Sequence, residues 1–180
     1  MILLRVKHLL RGFNIKKIKI RDYIFYAIII FIIAQRLPGI LDNYEKEGKS
    51  VNNFEYELLD GAKESLYAIS GRKILVFWAT WCPPCKVELQ RLHKAITNGE
   101  LAKDKVLVVN IAEKKSDVLK YYQKNKFSFR TAMDYNSVIS RQLNVSGTPT
   151  IVHIDEKNLI DHIGVGISPL LIYRAKFFLD

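Results

Sequence analysis

Cys82 and Cys85 are the two cysteines of this 180-residue chain and stand three positions apart. The reactive form of cysteine is the thiolate, and a free thiol with a pKa of ~8.5 is mostly protonated at neutral pH. Pro83 follows Cys82 directly and predicts a helix opening there, since proline suits a first helical position. Cys82 would then sit at a helix N-terminus, where unsatisfied N–H groups and the positive end of the dipole favour its ionised form. Cys85, one turn along, would be placed to attack a mixed disulfide at Cys82 and release the partner. Pro83 and Pro84 remove two backbone donors from that turn, which should modulate the potential. A disulfide-stapled miniprotein needs more cysteines than these, and a structural zinc site usually needs four Cys/His ligands. No second CxxC and no HxxxH is present, so the pair reads as chemistry rather than architecture.

A second group of residues is Gly147-Thr148-Pro149-Thr150, just ahead of an apolar stretch. A proline entering a strand after glycine makes Pro149 a candidate cis residue.

The elements that must position these groups alternate. Residues 54–59 suggest a strand ending at the Asp60-Gly61 turn, and 73–79 form a continuous apolar run, the mark of a strand buried on both faces. A helix is predicted from Pro83 to about Asn98, where Asn98-Gly99 supplies a stop. Residues 105–112 are a second buried strand, and Ser116 is the expected cap of a helix ending before Phe127. After 131–134 a further helix covers 135–143. Strands 150–155 and 159–164 flank a short turn, and Ser168-Pro169 opens a last helix. Helical crossovers make the first strands parallel and the tight turn makes the last two antiparallel, so a mixed central sheet with helices on both faces is expected.

The motif FWATWCPPCK with Glu88 after it, together with VSGTPTIVHID, resembles the thioredoxin superfamily, and within it the TlpA/ResA-like branch of membrane-anchored bacterial thiol–disulfide oxidoreductases. The resemblance covers about residues 54–180. It implies a thioredoxin-like α/β fold, Cys82 as attacking thiol and Cys85 as resolving thiol. It implies a cis Pro149 packed against the disulfide and Thr148 pairing its backbone with substrate, with Trp78 and Trp81 flanking the site. With Pro83 and Pro84, residues Trp81, Thr148 and Pro149 form the expected substrate-binding set. The redox-active disulfide is itself the carrier, so no metal or organic cofactor is expected. Expected partners are protein disulfides or dithiols and a membrane electron donor of the DsbD/CcdA type. Two positions depart from thioredoxin itself: Val76 stands where it carries a buried Asp, and Val108 where it carries a Lys. The proton acceptor for Cys85 is thus unassigned. Glu88 could help locally, though on a helix past the motif it reads more simply as solvent-exposed.

Charge distribution organises the rest. Residues 1–40 hold eight Lys/Arg and one acid, Asp22, so they carry +7 of the net +10 and leave +3 for the remainder. Basicity therefore belongs to the N-terminal appendage, and nucleic acid is not an expected partner. Residues 1–22 are a basic flank, and 23–41 contain the unbroken apolar run Tyr23–Ala34, the pattern of a signal anchor or signal peptide. The run is short against the ~20 residues of a normal span. Residues 42–53 read as a polar linker and 54–180 as the domain. The expected location is the bacterial inner membrane, single-pass, with the domain in the periplasm or on the outer face.

Other readings stay beside this one. Trp78 can equally be core, and Trp81 fits the rim of the site. Tyr121, Tyr122, Phe127 and Phe129 read as core, and Glu113-Lys114-Lys115 as a solvated loop. His93, His153 and His162 show no ligand spacing, although a copper(I) metallochaperone would need His153 or His162 poised against the cysteines. A dithiol oxidant, and a tethered domain with a purely structural disulfide, complete the alternatives.

Overall fold

A computed structural model describes residues 20–180. Arg5, Lys7, Arg11, Lys16, Lys17 and Lys19 of the basic flank lie outside the described residues. The chain divides into two compact units with the boundary between Leu41 and Asp42.

Helix α1 (Ile20–Lys46) has 27 residues with Pro38 inside it, and its residues up to Leu41 belong to the first unit. Its side chains between Tyr23 and Ile33 are largely exposed. Among the described residues no helix is long and apolar enough to cross a membrane. The physical reason is the one visible in sequence: Gln35 and Arg36 close the apolar run well short of ~20 residues.

Residues 42–53, expected to be a linker, are instead fastened to the domain. Helix α1 continues to Lys46, whose buried ammonium donates to the Asn144 carbonyl at 2.9 Å. Ser50 bridges to Leu159, and the N–H of Val51 donates to the Asn158 carbonyl at 2.8 Å. Val51 is 2% exposed and packs with Phe54, Leu75 and Leu107. A polar composition conceals one apolar residue and a set of backbone donors that pair with a remote loop.

The second unit is one seven-stranded sheet. In chain order its elements are β1 (Glu55–Leu58), β2 (Lys63–Ser65), β3 (Lys73–Trp78), α2 (Pro83–Thr97), β4 (Val106–Ile111), α3 (Lys115–Asn125), β5 (Arg130–Asp134), α4 (Val138–Gln142), β6 (Thr150–Ile154), β7 (Ile160–Val165) and α5 (Leu171–Leu179). The spatial order is β2-β1-β5-β4-β3-β6-β7. Strands β3, β4 and β5 are parallel, and β6, β7, β1 and β2 pair antiparallel to their neighbours. Strand β2 is not foreshadowed in the sequence, because its Lys-Glu-Ser stretch carries no strand signal. Two helices begin elsewhere than the serine signals predict: α3 has Lys114, not Ser116, at its cap, and α5 starts after Leu170 rather than at Ser168-Pro169.

The two-residue period of a strand sends alternate side chains of β3 to opposite faces. Ile74, Val76 and Trp78 join Leu89 and Leu92 of α2, Tyr122 of α3 and Leu171 of α5 on one side. Leu75 and Phe77 meet Leu107, Val109, Val152 and Ile139 of α4 on the other. All six residues of β3 are buried, and each large apolar side chain among them contributes ~1.5–3 kcal/mol by leaving water. Helices on both faces clamp β3, and β3 delivers the turn that ends in Cys82.

Candidate functional site

Strand β3 stops at Trp78, and the chain reverses in a turn closed by the Cys82 N–H donating to the Ala79 carbonyl at 3.2 Å. Cys82 is the N-cap of α2, with extended backbone, and Pro83 and Pro84 occupy the first helical positions. An N-cap side chain normally accepts from the second or third helical N–H. Pro84 has none, so the contact falls to the third: the Cys85 N–H donates to Cys82 Sγ at 3.2 Å. The two prolines thereby focus the helix terminus on one donor and one sulfur. Cys82 and Cys85 form a disulfide with a Cα–Cα distance of 5.3 Å; Cys82 is 3% exposed and Cys85 fully buried.

The Thr148–Pro149 bond is cis. Thr150, the next residue, stands opposite Phe77 in register, which brings the 147–149 loop to the end of the sheet where β3 enters the cysteine turn. Two bonds hold that loop: Thr150 Oγ1 donates to the Gly147 carbonyl at 2.7 Å, and the Gly166 N–H donates to the Pro149 carbonyl at 2.8 Å. Trp81 is 69% exposed beside Cys82, and Pro83 is exposed, Pro84 half-buried. Every expected site residue thus lies on one of two adjacent junctions.

Trp78 is different. It is fully buried and its ring lies 5.4 Å from that of Tyr121 and 5.9 Å from that of Tyr122, so it is core beneath the site. Tyr122, Phe127 and Phe129 pack together in the same cluster. Val76 and Val108 stand opposite each other in register, with no ionisable group at either position.

Two acids whose sequence context suggests solvent-facing positions are engaged. Glu88 is 1% exposed: Oε2 accepts from Arg91 at 3.0 Å, and Oε1 accepts the Ser168 N–H at 2.6 Å. Arg91 also donates to the Ser168 and Pro169 carbonyls, both at 2.7 Å. An Arg three residues after the Glu is a visible signal for this pair; the contact to Ser168 has none. Glu113 accepts the Thr80 N–H on Oε2 at 2.7 Å and the Thr80 hydroxyl on Oε1, so it is not part of a free loop.

The histidines lie apart from the cysteines. His93 packs on Phe127 and Phe129. His153 and His162 face each other across β6 and β7 with ring centroids 5.8 Å apart. His153 stands opposite Ile74, near the start of β3, whereas the cysteine turn lies beyond the strand's other end. Neither is poised against the sulfurs. His153 is 2% exposed with no hydrogen-bond partner on either ring nitrogen. Burial, reinforced by His162 and Arg174, pushes its pKa down to about 4.

A vicinal dithiol at a helix N-terminus, beside a cis-proline loop at the same end of a mixed sheet, defines a thioredoxin-like thiol–disulfide oxidoreductase. The chain belongs to the Redoxin family, which matches residues 46–171. It is 35% identical over 173 residues to the thioredoxin-like protein YneN of Bacillus subtilis, covering 89% of this chain and 99% of that protein. It is 26% identical over 144 residues to the sporulation thiol-disulfide oxidoreductase A of the same organism, covering 78% and 87%. The fold superposes on the crystal structure of StoA from Bacillus subtilis with a TM-score of 0.62 at 23% identity, covering 72% of this chain and 98% of that one.

Proposed function

We propose that the protein exchanges disulfides with partner proteins as a reductant outside the cytoplasm, tethered to the bacterial inner membrane by its N-terminal segment. The observation that carries the exchange reading is Cys82 Sγ at the mouth of α2, accepting the Cys85 N–H. In the reduced protein the Cys82 thiolate attacks a partner disulfide and expels one partner thiolate. Cys85, having lost its proton, attacks Cys82 Sγ and expels the second. The partner gains two electrons and the Cys82–Cys85 disulfide is regained. Trp81, Pro83 and Pro84 form the rim on which the partner rests, and Thr148 and Pro149 offer backbone beside the sulfur. The dithiol is the whole redox carrier. Re-reduction falls to a membrane electron donor of the DsbD/CcdA type, with cytochrome c maturation or disulfide repair as the task served.

The tether rests on the basic flank ahead of the Tyr23–Ala34 run, extended by residues 37–41 with Arg36 snorkelling to the far interface of a thinned span, an arrangement that keeps the flank cytoplasmic and carries the domain across. Cys85→Ser should trap partners as mixed disulfides on Cys82, which identifies the substrate and tests the exchange in one step. The reduction potential tests direction: a value near ~ −270 mV fits a reductant and one near ~ −120 mV an oxidant. Protease protection of the domain in sealed membranes tests its side, and full digestion from the cytoplasmic face would overturn the placement.

A further inference from the structure

We propose that Glu113 is a positioning residue for this exchange: its carboxylate clamps Thr80 at two points and so fixes the turn that delivers Trp81 and Cys82. The inference rests on the exchange reading above. Thr80 is the second residue of the Ala79–Cys82 turn, and both its N–H and its hydroxyl donate to the one carboxylate. Cys82 follows two residues later, and the position of its sulfur over the Cys85 N–H depends on how that turn is held.

Three observations show that the carboxylate is itself held for this task. Asn110 is fully buried at the end of an otherwise aliphatic stretch of β4, where an amide is costly, and its Nδ2 donates to Glu113 Oε2 at 2.7 Å. Asn110 stands opposite Trp78 in register, so Glu113 ties together the ends of the two central parallel strands. Ala112, the residue before Glu113, has φ of 53°, a left-handed conformation strained for a residue with a Cβ, and its N–H donates to the Asp134 carbonyl at 3.0 Å. A strained backbone thus turns Glu113 back across the strand ends toward Thr80.

Clamp and charge act in opposite directions on Cys82. The clamp keeps the sulfur at the helix mouth, which favours the thiolate, while a carboxylate bonded to the residue two positions before Cys82 disfavours it. Glu113→Gln separates them. The amide oxygen can accept from Thr80 N–H and Asn110, and the amide nitrogen can donate to the Thr80 hydroxyl, so the contacts survive without the charge. Glu113→Ala removes both.

The experiment measures, in the full chain, the exchange rate with a disulfide-bonded protein substrate and the pH profile of Cys82 alkylation in the reduced protein. Glu113→Gln should exchange within about twofold of the natural protein and alkylate with a lowered pKa. Glu113→Ala should exchange about tenfold more slowly, a modest loss for a displaced nucleophile, and its alkylation pKa should lie above that of Glu113→Gln. Thr80→Val, which keeps the N–H arm and loses the hydroxyl arm, should lose about threefold and remains informative if the alanine variant does not fold. If the Ala and Gln variants are indistinguishable in both readouts, or Thr80→Val and Glu113→Ala merely lower stability with natural exchange rates, the clamp is overturned. A natural protein whose Cys82 alkylates like an ordinary thiol sinks the exchange reading instead.

Discussion

Strand β6 begins beside the cysteine turn and ends near His153, which faces His162 of β7, and its two ends use buried polar chemistry in different ways. At the Thr150 end Thr150 pairs with Gly147, Pro149 with Gly166 and Glu113 with Thr80, while Trp78 Nε1 and Asn110 Oδ1 stay buried without a partner. At the other end His153 is sealed in with neither ring nitrogen bonded, its ring 5.0 Å from Phe178 and 5.8 Å from His162. The histidine is strongly perturbed, yet no donor or acceptor bonds to its ring. The cysteines are nearly as buried, but Cys82 adjoins the exposed Trp81 and sits where a helix terminus can act on it. Perturbation chiefly by burial makes an inert neutral side chain; perturbation by directed donors beside an open rim makes a nucleophile. Variants at the first end should therefore change exchange, and variants at the second should change stability alone.

The largest effect expected is at Cys82. Cys82→Ser should reduce exchange by at least ~10³-fold while leaving the fold intact, because a serine hydroxyl at neutral pH offers no comparable nucleophile. Insulin-disulfide turnover measures this, and residual activity within tenfold of the natural protein would move the chemistry away from this end of β6.

Arg91→Ala comes next and tests whether the cysteine end is held by its buried pair. It leaves the Glu88 carboxylate, 1% exposed, with the Ser168 N–H as its remaining partner here. Breaking a buried pair from one side costs ~3–5 kcal/mol, and the partial exposure of Arg91 puts the expected loss at the lower end, ~3 kcal/mol. Urea unfolding checks it. A loss below ~1 kcal/mol would mean that water already reaches Glu88.

His153 supplies the contrasting case. Its pKa is about 4 in the folded chain, against the ordinary ~6.5 unfolded. Between those values the unfolded chain binds the extra proton, so stability falls as pH drops from ~6.5 to ~4 and is unaffected by this group above that window. The full cost approaches ~3 kcal/mol at the acid end, since each pKa unit is worth ~1.4 kcal/mol. Unfolding measured across pH should show the slope in the natural protein and lose it in His153→Leu, with exchange activity unchanged in that variant at neutral pH. A slope that persists in His153→Leu assigns it to other groups.

The same contrast explains what can be read from sequence. Strand β3, helix α2, the thiol pair and the 147–150 loop are legible because each is specified by neighbours in the chain: an apolar run, a proline at a helix start, a three-residue spacing. Glu88 and Glu113 are not, because the groups that bury or engage them are remote. Ser168 lies 80 positions from Glu88, and Thr80 lies 33 from Glu113. The supposed linker misleads for the same reason, since Val51 and Lys46 bond to the remote residues Asn158 and Asn144. Serine signals misplace two helix starts: Ser116 lies within α3 rather than at its cap, and Ser168 gives its N–H to Glu88 instead of capping α5.

Trp81 offers the smallest effect and the sharpest complement to His153. Its indole is 69% exposed and makes no hydrogen bond or ring contact found among the described residues, so the folded domain loses little when it is truncated. An exposed aromatic beside a nucleophile is instead suited to cover a docked partner, where a rim contact of this kind contributes ~1 kcal/mol. Trp81→Ala should therefore raise KM for a protein disulfide about fivefold, change kcat by less than twofold, and leave the urea midpoint where it was. A small disulfide that cannot span the rim should be reduced at the natural rate, because Cys82 and its N–H donor are untouched. If kcat falls instead, or the small disulfide slows as much as the protein does, Trp81 acts on the sulfur rather than on the partner, and the boundary between rim and nucleophile at this end of the sheet has to be redrawn.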